Sequence, residues 1–410
     1  MTDGIPTTTR PARDGGGDPA RRRRARHLFA LVAAGVLALG ACNGDDGTDE
    51  DAGGAGGATT ATQPAAAAAP LVFNGQGNDL VAYATEPPFE DQVVIPHYDE
   101  ARQPDGLDIN AQICFDPDDP RRFVAGEDTL QSTTGEPGWG IFELEGDRIG
   151  ELSARQVGKL VPTYQPTADN PENYGCGFLA DGRIVTTDIG DQVSGANGQL
   201  IVWFPPFESR DVGYCKLDVT LPTAQSILVD GDSVYVAAAR GGVFRYDATT
   251  FPTSPAPEDG CDGEDGTGAP LATGVTREQF LSADDTNGIA TPAGLALGPD
   301  GQLYVSSVFN GVISEFTRDG TFVRRVLEPP AGETLGERPF TTGTPLGIGV
   351  GPDGTLYYAD IGIVVSEGGV GPGERTGTVR RIRFADGEPQ PPETMADGLA
   401  FPDGIGVWVP

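Results

Sequence analysis

The sequence is short of histidine, cysteine, basic residues and long apolar runs, and each shortage removes a class of function. It has two histidines in 410 residues, and His27 lies in the leader described below, which leaves His97 alone. Five cysteines are present, and no two are spaced CxxC. A zinc centre and a Ser-His catalytic pair both lack their raw materials. Lys and Arg number 27 against 60 Asp and Glu, for a formal net charge of −33. A surface of that sign repels nucleic acid and anionic lipid; it suits divalent cations, cationic ligands or plain solubility. The apolar run from Leu28 to Leu39 is too short to span a bilayer as a mature helix.

That run has a different reading. Arg21–Arg24 and Arg26 precede it, and Leu39-Gly40-Ala41-Cys42 follows. A basic region, a short apolar region and a small-residue cleavage site make a secretory signal. With Cys at its end, the tetrapeptide resembles a bacterial lipoprotein lipobox, which implies cleavage before Cys42 and acylation of that residue. Residues 1–41 then form a lipoprotein signal peptide. Residues 42–69, rich in Gly, Ala, Thr and Asp and free of aromatics, form a lipid-anchored flexible linker. Residues 70–410 are long enough for one large β domain. Without residues 1–42, 20 basic residues face 57 acidic ones, a charge of −37. Four cysteines remain, Cys114, Cys176, Cys215 and Cys261, and an even number in an exported chain suggests two disulfides.

The β domain repeats itself. PAGLALGPDGQLYVSS at 292–307 returns as PLGIGVGPDGTLYYAD at 345–360 and as NYGCGFLADGRIVTTD at 173–188. Each copy is a β-hairpin around a D-G turn. One hairpin cannot bury its apolar face, so the copies must stack. Further strands at 198–204, 215–221, 242–247, 322–327 and 378–384 extend the hairpins toward four-stranded units. Units starting near 109, 173, 226, 292 and 345 give five blades. The ends supply a sixth, because FPDGIGVWVP at 401–410 lacks a partner after it, and 71–73, 80–85 and 92–96 lack an inner strand before them. The expectation is an all-β, six-bladed β-propeller of four-stranded antiparallel blades. One C-terminal and three N-terminal strands close its ring. A seven-bladed ring or a β-sandwich are the alternatives, and the sandwich does not explain the period.

The pattern P-x-G-L-A-L-x-P-D-G-x-L-Y-V-x-S in blade four resembles NHL-type six-bladed propellers. The chain is also similar to gluconolactonase-like and strictosidine-synthase-like propellers. The gluconolactonase likeness implies a Ca²⁺- or other divalent-dependent lactone hydrolase, with Pro402-Asp403-Gly404 matching one ligand motif. Ala293 and Leu346 stand where the likeness calls for Asn, and no early Glu clearly fits.

Propeller geometry puts the end of each second strand and the start of each inner strand on one face. Glu127, Asp188, Ala238, Ser307 and Asp360 align at the first position. Tyr174, Ala293, Leu346 and Asp403 precede the inner-strand glycine, with Asn110 close by. Glu127, Asp188, Asp360, Asp403 and Asn110 are therefore expected around one mouth of the channel. Carboxylates at 4 Å repel by about 4 kcal/mol at an effective dielectric of 20, so a shared Ca²⁺ is one way to hold them. A bond from each Asp to neighbouring backbone amides is the other reading. Loops 128–138, 189–197 and 361–377 rise on the same face, and 248–291 is a large acidic insertion. By placement in consecutive blades Cys114 pairs with Cys176, and Cys215 pairs with Cys261 across blade three's outer region. This is one of three possible connectivities.

The sequence thus reads as an extracytoplasmic, membrane-anchored propeller that binds a small molecule, a glycan or an envelope protein at its loop-rich mouth, and not nucleic acid. A lactone hydrolase and a protein-assembly scaffold are the alternatives. Replacing Cys42 by Ser should move the protein from the membrane fraction to the soluble one, and unchanged fractionation would refute the anchor.

Overall fold

The computed structural model describes residues 69–127, 138–161, 173–190, 197–208, 211–284 and 286–410. The leader, Cys42 and the linker up to residue 68 lie outside them, as do most of loops 128–138 and 189–197. Among the described residues no helix is long and apolar enough to cross a membrane.

The described chain forms six four-stranded antiparallel blades. Blade one holds Ile109–Phe115, Arg122–Glu127, Gly138–Glu145 and Ser153–Leu160. Blade two holds Asn173–Phe178, Ile184–Asp188, Gly198–Trp203 and Tyr214–Leu221. Blade three holds Ala224–Asp230, Ser233–Ala238, Gly242–Asp247 and Arg277–Ser282. Blade four runs Pro292–Leu297, Leu303–Ser307, Val312–Phe316 and Phe322–Leu327. Blade five runs Pro345–Val350, Leu356–Asp360, Gly377–Ile382 and Glu393–Leu399. The closing blade takes its inner strand, Pro402–Trp408, from the C-terminus, and pairs it with Leu71–Gln76, then Asp79–Ala84 and Asp91–Ile95. The six inner strands touch in sequence, and blade six meets blade one. The ring is closed in the way the sequence implies, and no inner strand is left as an open edge.

Side chains alternate between the two faces of each blade, so every blade contributes to two separate cores. Phe73 and Leu80 of blade six pack with Phe123 and Phe142 of blade one. Val124, Trp139 and Ile141 on blade one's other face meet Ile184 and Trp203 of blade two. Analogous clusters follow around the ring, ending with Tyr357 and Val379 of blade five against Val72 and Ile405 of blade six.

Close backbone approach near the axis sets the ring's width. A Cβ on Gly175 would lie 2.5 Å from the Gln225 carbonyl oxygen of the next blade. At Gly294, Gly347 and Gly404 the same atom would lie 2.4, 2.3 and 1.7 Å from the carbonyl oxygens of Leu346, Asp403 and Ala111. These glycines sit where the pairing register of the inner strand shifts. The bulge turns backbone away from its own hairpin, and hydroxyls recover freed amides. Thr187 Oγ1 accepts from Gly175 N (2.7 Å) and donates to Gln225 O (2.6 Å). Ser306 Oγ accepts from Gly294 N and donates to Leu346 O, both at 2.7 Å. Each hydroxyl therefore stitches its blade to the next.

The acidic insertion is more ordered than a loop. Gly263–Glu264 and Pro270–Leu271 pair with each other, and Leu271 bridges to Lys216 on blade two's outer strand. Arg277–Ser282 completes blade three. The disulfides are those the sequence placement implies: Cys114–Cys176, and Cys215–Cys261, which ties the insertion to blade two. Lys216, fully buried, reaches Asp265 at 2.5 Å. Burial pushes the Asp265 carboxyl up, but hydrogen bonds from Lys216, Thr267 and the Ala269 amide outweigh it and hold it at about 2. Its stabilisation is full above the usual carboxylate range and is lost only as pH falls through about 2.

The glycine ring gives a direct test. Gly347→Ala should destabilise the domain by at least about 1–3 kcal/mol in chemical denaturation, because its Cβ meets backbone that cannot swing away. Gly266→Ala, in open space, should stay within about 0.5 kcal/mol of the parent.

Candidate functional site at the channel mouth

The register places the aligned residues where the repeat implies. Ile109 pairs with Glu127, Asn173 with Asp188, Pro292 with Ser307, and Pro345 with Asp360. All four strand-end side chains are buried. Glu127, Asn110 and Asp403 share the seam between blades six and one. A Cβ on Gly126 would touch Asn110 Oδ1, and one on Gly75 would lie 2.8 Å from Asp403 Oδ1 and 3.5 Å from Asn110 Cα. Asp188 and Asp360 belong to other parts of the rim, in blades two and five.

Each carboxylate has internal partners. Glu127 pairs with Lys159 from blade one's outer strand. Asp188 accepts from the Gly190 amide at 2.9 Å and from Gln199 Nε2 at 3.5 Å. Asp360 Oδ1 accepts from the amides of Thr344 (2.7 Å) and Gly362 (2.9 Å), and from Thr344 Oγ1. Its Oδ2 takes Thr378 Oγ1 at 2.9 Å and pairs with Arg380 at 3.3 Å. Asp403 accepts from the Ala111 amide at 2.8 Å and from its neighbour Gly404 at 2.6 Å, so it staples the last strand of the ring to blade one.

Blade four shows what the strand-end position requires. Ser307 Oγ accepts from the Thr291 amide at 2.9 Å, as Asp360 does from Thr344. Both amides belong to the residue just before the inner strand. A serine fills the role without a charge, so the recurring need is an acceptor that ties down the incoming chain.

This donor set does not fit a shared calcium ion. Ca²⁺ would have to displace Lys159, Arg380 and several N–H donors that already contact the carboxylates. Among the described residues, no group of three or more His, Cys, Asp or Glu side chains is placed to hold a metal. The remaining histidine, His97, is exposed and sits 3.0 Å from Asp79.

Among the described residues the mouth carries an apolar cluster. Tyr174, Ala293, Val308, Leu346, Ile361 and Ile363 form a buried cluster over the axis, flanked by Ile189, Leu335 and Phe401. Burial raises the Tyr174 phenol well above its ordinary value, and the nearby Asp403 charge adds to the shift. Below it Gln112 spans the axis: its Nε2 donates to Ile227 O at 2.9 Å, and its Oε1 accepts from Ile227 N and Cys176 N at 3.0 and 3.3 Å. Blade one is thereby joined to blades two and three. Sequence reasoning missed Lys159 and Gln112, and it placed Tyr174, Ala293 and Leu346 on this face without reading them as one apolar cluster. The hydroxyls of Thr187 and Ser306 were visible one residue before the aligned strand ends, at equivalent places in two copies.

Asp360→Ala should cost about 3–5 kcal/mol, because it leaves Arg380 largely buried without its carboxylate. Calcium added to the chelator-treated parent should leave its melting temperature unchanged. A calcium-dependent rise that Asp188→Ala and Asp403→Ala both abolish would instead establish a shared ion. Differential scanning calorimetry reads both.

No protein-family model matches the sequence, and no curated protein matches it significantly. Solved structures resemble it in fold. A nidogen/laminin complex matches with 13% identity over 83% of this chain and 98% of that one, at a TM-score of 0.48. A luciferin-regenerating enzyme matches with 13% identity over 71% and 88%, at 0.41. Virginiamycin B lyase from Staphylococcus aureus matches with 11% identity over 83% and 92%, at 0.44. Likenesses this distant carry no argument about activity.

Proposed function

We propose that this chain is an extracytoplasmic, lipid-anchored recognition protein that holds an envelope protein partner on the mouth face, at blades four and five. The observation that carries this is an exposed apolar rim over an axis too narrow for a ligand pocket among the described residues. In blade five a β-ribbon, Ile363–Ser366 with Gly369–Pro372, stands above the buried mouth cluster. Val365 and Val370 face each other across it and are 38% and 44% exposed. The Val365 amide donates to Gly336 O at 2.7 Å, which ties the ribbon to the preceding interblade loop. Phe309, on the adjoining blade-four loop, is also exposed.

Size favours a protein over a small molecule. The cavity that the described residues leave on the axis is about 10 Å³, far below the roughly 300–1,000 Å³ usual for ligand pockets. Exposed aliphatic and aromatic side chains on an ordered rim are the raw material of a protein contact. The ring takes up the chain at Leu71, opposite Trp408 and away from the mouth, where Gln76 pairs with Pro402. A tether joined there leaves the mouth free to face a partner. Two disulfides fit an oxidising compartment.

The lactone-hydrolase reading requires a metal-binding donor set, and the carboxylates expected to form one are committed to hydrogen bonds and ion pairs. A photo-crosslinking residue at Val365 or Val370, introduced into the anchored protein in cells, should yield a discrete protein adduct. The same residue at Phe322, exposed on blade four's outer strand, should not. Val365→Asp should abolish the adduct formed at position 370. Absence of mouth adducts, or metal-dependent turnover of lactones by the purified protein, would overturn the proposal.

A further inference from the structure

Tyr174 is 94% buried by its 6% exposure, yet its hydroxyl has no hydrogen-bond partner among the described residues. Buried hydroxyls without partners are rare because they forfeit their hydration. The ring lines the axial cavity, together with Gln112 of blade one, Ser226 of blade three and the glycines of blades four, five and six. Of the void there, only about 10 Å³ can hold the centre of a water molecule, room for about one.

The cavity's polar groups have capacity left. Gln112 Nε2 uses one hydrogen on Ile227 O and keeps a second. Ser226 Oγ donates to Ala293 O at 2.6 Å and keeps its acceptor lone pairs. Tyr174 can donate and accept. We propose that the propeller axis is a binding site for a single internal water, hydrogen-bonded to the Tyr174 hydroxyl, with Gln112 and Ser226 as its other partners. A cation suits the site less well, because no carboxylate lines it. A larger ligand does not fit. The water joins blades one, two and three at the centre and extends the links that Gln112 makes.

The test rests on the sign of one substitution. If the hydroxyl holds a bound water, Tyr174→Phe breaks a bridged contact and lowers the melting temperature. If the hydroxyl is simply orphaned, the same change removes a buried burden and raises it. A high-resolution crystal structure of the parent should show one density peak at hydrogen-bond distance from Tyr174 Oη, weakened or lost in Tyr174→Phe. Should that variant fail to fold, Ser226→Ala and the parent density decide. No peak in the parent, a Tyr174→Phe that melts higher, or a peak with the short multiple oxygen contacts of a metal ion would each overturn the proposal.

Discussion

The whole ring hangs on how closely inner strands approach one another at the axis. At four of the six blades a glycine lets its backbone lie against the carbonyl of the next blade, where a Cβ would sit 2.5 Å or less from oxygen. The approach is possible only because the strand bulges out of register there, and the bulge frees amides that the hairpin no longer satisfies. Two hydroxyls, on Thr187 and Ser306, take up such an amide and reach the neighbouring blade at once. Blade three has Ser226 in the ring itself, bonded to Ala293 O, and blade one has Gln112. The departures from glycine therefore keep the same contact by a side chain. Apolar cores between blades then fill the wedge that this spacing leaves.

The acidic residues of the mouth follow from that geometry. Each inner strand begins where the chain drops in from an outer loop, and the residue before it needs an acceptor for its amide. Asp360 and Ser307 supply one from the strand beside it. Asp403 does comparable work where chain continuity is broken, between the last strand and blade one. A buried carboxylate is costly unless its lone pairs are filled. Here amides, hydroxyls, Lys159 and Arg380 contact them, so the charges of Glu127, Asp188, Asp360 and Asp403 are met within the protein.

The sequence carried the fold because the hairpin repeat is local: D-G turns and alternating apolar residues mark each blade. Ring closure was legible from an inner strand without partners at one end and three strands without one at the other. The disulfides were legible once the blades fixed which cysteines were neighbours. The site was only half legible. Alignment placed Glu127, Asp188, Asp360 and Asp403 on one face, but not their partners. Lys159 lies on an outer strand and Arg380 on a third strand, and neither recurs in the repeat. Gln112 was hidden because blade one carries an extra residue between Asn110 and Cys114, which breaks its match to the other copies. Tyr174 stood out in the alignment, yet nothing in the sequence told that it would lie across the axis.

A closed axis also decides what kind of function the fold can support. In a ring with an open, polar channel, a ligand can be drawn inward and surrounded. Here Gln112 bonds blades two and three, Tyr174 belongs to the apolar cluster, and the glycines draw the walls in. Inward binding would have to break contacts that hold the blades together. A recognition surface of the kind proposed would therefore lie outward, on elements whose movement costs the ring little. The ribbon at 363–372 is such an element: it is an addition between two strands of blade five, and its valines face solvent while Ile363 at its base anchors in the mouth cluster. That division, a narrow ring axis below and exposed valines on a ribbon above, is what the proposed partner-binding reading rests on.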